Sequence, residues 1–76
     1  MLLKVKIVSR TKPVSGPFSV SRIPTIGEFV ETEEYPNFWH EISAVVYTPN
    51  REEYDALLYS KATIDQVSFE NILFPR

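Results

Sequence analysis

Cysteine is absent from the chain, glycine occurs twice and histidine once. Without cysteine no disulfide can brace the fold. A structural metal needs three or four Cys, His or carboxylate ligands, and His40 is the sole histidine. Gly16 and Gly27 stand alone, so no glycine-rich phosphate loop exists. Nucleophilic catalysis has no thiol to use, and a serine nucleophile would depend on His40 as its base. Glu41 follows His40 directly, yet adjacent residues on a strand point to opposite faces, so this spacing forms no dyad. No catalytic, metal-binding or cofactor-binding residue is therefore assigned, no cofactor is expected, and the chain reads as a non-enzyme. A long apolar run is also missing: Lys4 and Lys6 interrupt residues 1–8, which excludes a signal peptide or a membrane span there and predicts a cytoplasmic protein without membrane contact.

With 76 residues the chain has room for one domain, 1–76. A chain of this size buries only roughly 60% of its unfolded surface, which makes subunit contacts a natural source of further burial. Ten aromatics and an apolar fraction of 43% suffice for one compact core. The net charge of −2 conceals a division. Residues 1–22 hold Lys4, Lys6, Arg10, Lys12 and Arg22 with no acid, whereas residues 28–41 hold Glu28, Glu31, Glu33, Glu34 and Glu41 with no base. Neighbouring strands can interleave the two sets into ordinary cross-strand pairs, or the sets can form two surfaces of opposite sign that steer a partner.

Six prolines cut the chain into short pieces, which favours a meander or small barrel. Leu3, Val5 and Ile7 alternate with Lys4 and Lys6, predicting a half-buried first strand. Phe18 and Val20 alternate with serines, predicting a second strand paired with the first. A third strand is expected within 28–32, after a corner at Pro24-Thr25-Ile26-Gly27. Residues 39–48 read as one long strand with Ile42, Ala44 and Val46 in the core and Trp39, Val45 and Tyr47 on the opposite face. Segment 50–62 is read as a strand antiparallel to it, with a short helix as the alternative because Asn50 and Glu53 imitate a capping box. The apolar tail, 67–76, either adds a closing strand or docks on this domain or a neighbouring one. The predicted fold is mainly β: an antiparallel SH3-like barrel or bent sheet of five to six strands.

The corner Arg22-Ile23-Pro24-Thr25-Ile26-Gly27-Glu28-Phe29-Val30, followed by Trp39-His40-Glu41-Ile42 and Val45-Val46-Tyr47-Thr48-Pro49, resembles small uncharacterised β-proteins of phages and mobile elements. The resemblance covers about residues 22–60. It implies a small barrel and a protein that binds and blocks a host component, and it carries over no functional residue.

The concentration of Tyr35, Phe38 and Trp39 around Pro36-Asn37 is the strongest signal of a contact surface, because aromatic side chains most often anchor interfaces. Tyr47 and the tail residues Leu73 and Phe74 complete the candidate interaction set. The expected function is protein interaction, with a protein partner and self-association into an oligomer. Two alternatives are a small ligand held at a subunit boundary and a single-strand nucleic-acid binder using the basic residues of 4–22. The net negative charge disfavours the last.

Overall fold

The structure is a computed structural model and describes residues 2–75. Met1, before the predicted first strand, and Arg76, at the end of the predicted tail, lie outside the described residues. The chain forms β1 (Leu3–Ser9), β2 (Phe18–Val20), β3 (Phe29–Glu31), β4 (Phe38–Glu41), β5 (Ala44–Tyr47), β6 (Ala56–Ser60), β7 (Ala62–Asp65) and α1 (Gln66–Leu73). These strands build two sheets, ordered β2-β1-β6-β5 and β3-β4-β7.

The alternation at the N-terminus produces β1 as expected: Val5, Ile7 and Ser9 are buried, and β2 pairs antiparallel with it through Leu3 and Val20. Segment 56–60 is a strand and runs antiparallel to β5, as the preferred reading had it. The helix offered as the alternative for 50–62 does not form; α1 lies in the tail, where no helix was expected. Lys4 accepts the Asp55 N–H at 2.7 Å, and Val5 pairs with Ala56, so β6 also runs parallel to β1. Alternation signals a buried face but not strand direction, so this parallel pair was not foreseen.

The predicted strand 39–48 divides at Ile42-Ser43 into β4 and β5. Glu41 pairs with Ala62 and Ala44 with Tyr59, so the two long strands keep a common offset through the break while passing from one sheet to the other. At the break the Ser43 N–H donates to the Tyr59 carbonyl at 2.7 Å, and Ser43 Oγ accepts the Lys61 N–H at 3.3 Å. A strand that changes sheets bends, and the side it buries changes with the bend. His40 and Ile42 are buried, but beyond the break Val45 packs against the core while Val46 and Tyr47 are exposed. The predicted core position of Val46 and the shared outward face of Trp39, Val45 and Tyr47 are thereby corrected. Of the two predicted forms, barrel or bent sheet, the bent sheet is the one observed: the described residues form two bent sheets with seven strands rather than five or six.

Val5, Ile7, Val14, Ile42, Ala56 and Leu58 form the core, with Phe18, Val20, Ile23, Val30, Tyr35 and Val45 against it. The molecule extends 48 × 21 × 20 Å.

The corner before β3 is held by one carboxylate. Glu28 accepts from the Arg22 guanidinium at 2.7 and 2.5 Å and from the Thr25 N–H at 2.6 Å, while Gly27 turns the chain at φ +93°, a conformation that favours glycine. Hydrogen bonds from Arg22 and then Thr25 lower the Glu28 pKa from 4.5 to about 2. A carboxylate depressed on folding stabilises the native state above its unfolded pKa and loses that contribution as pH falls through the native one. Glu28→Gln is therefore expected to flatten the acid limb of stability between pH 4.5 and about 2. Glu34, bonded by Ser15, and Asp65, bonded by Ser68, are shifted in the same direction, so the limb should be reduced rather than abolished. Acid titration of the two proteins by circular dichroism checks this.

Candidate functional site: two surfaces of opposite charge

The structure does not bring the six candidate contact residues together. Tyr35 is half-buried, packs edge-on to His40, and donates from its hydroxyl to the Pro13 carbonyl at 2.9 Å. Its turn depends on Pro36 and on Asn37 at φ 70°, after which the Phe38 N–H returns to the Tyr35 carbonyl. Phe38 lies under the Lys12 ammonium, 4.5 Å from its ring centroid. Tyr35 and Phe38 thus fasten the 10–17 loop. Trp39 points to the other side of β4, where its indole N–H donates to Glu31 at 2.8 Å and its ring meets Phe69 edge-on at 5.0 Å. Tyr47 is exposed on the outermost strand of the larger sheet, and Leu73 and Phe74 are exposed at the end of α1.

The helix is the element that sequence reading missed. Asp65 caps it, accepting the Ser68 N–H at 3.2 Å, and the chain leaves it just before Pro75. Asp65 as cap, the three-residue spacing of Phe69 and Ile72, and the following proline were the signals that could have revealed it. None of its residues is buried. Phe69 anchors it, edge-on to Phe29 at 4.9 Å and to Trp39, and the Gln66 N–H donates to the Asn37 carbonyl at 2.8 Å. Beside this anchor lies an open groove of about 350 Å³ lined by Phe29, Glu41, Ala62, Ile64, Phe69 and Ile72. Glu31, Glu41, Asp65 and Glu70 belong to this sheet and helix, whose residues include no lysine or arginine.

The outer face of the larger sheet has the opposite character. Across β1, β6 and β5, Lys6 pairs with Leu57 and Leu57 with Val46; in the next row Val8 pairs with Tyr59 and Tyr59 with Ala44. Val8, Val46 and Tyr59 remain 38%, 44% and 40% exposed. Arg10 and Lys61 flank a cavity at the Tyr59 end of this face. The four strands contain Lys4 and Lys6 and no acid. Asp55, just before β6, accepts the Lys4 backbone N–H at 2.8 Å. Among the described residues Arg22–Glu28 is the one ion pair, so the basic and acidic segments are mostly segregated rather than interleaved.

His40 is fully buried, with Nε2 3.1 Å from the Lys12 carbonyl. A carbonyl only accepts, so Nε2 carries the proton, and His40 fastens the loop from within. Glu31 and Glu34 are engaged separately, by Trp39 and Ser15. Among the described residues no cluster of three or more His, Cys, Asp or Glu side chains suits a metal ion, and no helix is long and apolar enough to cross a membrane. The fold and its surfaces define a mainly β protein of two bent sheets with one short helix. Compared with known proteins, the chain matches no family, no curated protein and no solved structure.

Proposed function

We propose that the chain is a small, non-enzymatic protein-interaction module whose contact surface is the α1 end of the smaller sheet. The observation that carries this reading is the uncovered apolar surface there. Ile72, Leu73 and Phe74 are 69%, 56% and 73% exposed, next to the groove beside Phe29. Water contact with so many large apolar groups is unfavourable, by about 25 cal/mol per Å², and contact with a partner removes it. The surrounding carboxylates select for a partner with an apolar centre and a basic rim. The resemblance to small β-proteins of phages adds the reading of a host factor bound and blocked.

Affinity capture from extract of the source cells at moderate salt tests the reading. The unmodified chain is expected to retain a defined set of proteins. The triple variant Ile72→Ser, Leu73→Ser, Phe74→Ser, which alters no buried residue, is expected to lose at least about 90% of them, the tenfold change of one lost anchor. Equal capture by both proteins would contradict it.

A further inference from the structure

We propose that the partner with an apolar centre and a basic rim is a second copy of this chain: the outer face of β1, β6 and β5 in one molecule receives the acidic α1 end of another. This inference rests on the reading of the chain as a protein-interaction module and names the partner of that surface.

The two surfaces complement each other in charge. One offers Val8, Val46 and Tyr59 on the outer face of β1, β6 and β5, with Lys4 and Lys6 in its strands and Arg10 and Lys61 at its margin. The other offers Phe29, Ile72 and Leu73 among Glu31, Glu41 and Glu70. Each apolar centre is uncovered within its own chain. A face meeting its own copy across a two-fold axis would set lysine against lysine or glutamate against glutamate, which costs free energy. Unlike faces in contact remove both apolar centres from water and bring opposite charges together. The predominantly aliphatic centre also favours protein over nucleic acid, which is held by rows of stacking aromatics, since Tyr59 is the one ring in the two rows across this face.

Charge reversal at each surface, followed by mixing, tests the contact. One variant carries Lys6→Glu and Lys61→Glu; the other carries Glu41→Lys and Glu70→Lys. Melting curves first establish that both remain folded, and if either does not, the corresponding glutamine variants replace it. In sedimentation velocity at low salt, the unmodified chain associates, and each variant alone dissociates with its dissociation constant raised at least about tenfold. The equimolar mixture restores association, because the first variant keeps an acidic end and the second a basic face. The mixed complexes contain the two variants in equal proportion, and their population falls with added salt. A mixture that remains monomeric overturns the inference. So does an unmodified chain that is monomeric but binds a single-stranded oligonucleotide at low salt through Lys6 and Lys61. Partner capture that survives the absence of self-association would overturn this inference while leaving the module reading standing. Loss of both would remove the two together.

Discussion

Leu58→Asp is expected to abolish the folded state, whereas Val46→Asp should leave a soluble protein with a cooperative melt. Leu58 is fully buried in β6, which stands between β1 and β5, so an aspartate there has no solvent and no cationic partner. An unpaired buried charge costs several kcal/mol, comparable with the total stability of about 5 to 15 kcal/mol for a small domain. Val46 is 44% exposed and faces outward, so its aspartate stays hydrated. The expected cost is about 1 kcal/mol, from lost strand propensity and cross-strand packing. Urea denaturation followed by tryptophan fluorescence separates the two outcomes. A folded Leu58→Asp protein, or an unfolded Val46→Asp protein, would show that the buried side does not change at Ile42-Ser43.

The second large effect is expected at His40. Replacing it with alanine removes a fully buried ring from beside Tyr35 and leaves the Lys12 carbonyl without its donor. Truncation of a large buried side chain costs about 2 to 5 kcal/mol, and an abandoned acceptor adds about 1 to 3 kcal/mol where it stays dry. We expect a loss of about 3 kcal/mol, since the 10–17 loop can open to hydrate the carbonyl. Tyr35→Phe, which removes one hydrogen bond to Pro13, should cost only about 1 kcal/mol. Amide exchange in residues 10–17 should accelerate in both variants, and more in His40→Ala.

How much of this was legible in the sequence depends on how local each cause is. Val5 and Ile7 declared themselves because two-residue alternation is a property of a single strand. The pairing of β5 with β6 followed from a short connection between two β-patterned segments. Val46 was misplaced because the alternation through 39–48 is unbroken in sequence, while the switch of buried side arises from a bend that Ser43, Tyr59 and Lys61 make together. The parallel pairing of β1 with β6 joins residues about fifty positions apart, and no local pattern records it. Among the candidate contact residues, the cluster around Pro36 was recognised as a cluster. Its role could not be read, because whether Trp39 is free depends on Phe69, thirty residues later, in a helix that the apolar tail disguised. The division of charge was visible from the start. Whether strand pairing would neutralise it was a question of topology, and the topology keeps β1 with its lysines away from β3 and β4 with their glutamates.

If two unlike surfaces of this chain recognise each other, sedimentation velocity of the unmodified protein at two ionic strengths will show it. Across roughly 1 to 100 micromolar, where interfaces of ordinary size assemble, the sedimentation coefficient should rise with concentration at low salt. It should fall back towards that of the 8.8 kDa monomer when salt screens the lysines from the glutamates. A single monomeric species at every concentration and at both ionic strengths would show that the two surfaces do not recognise each other.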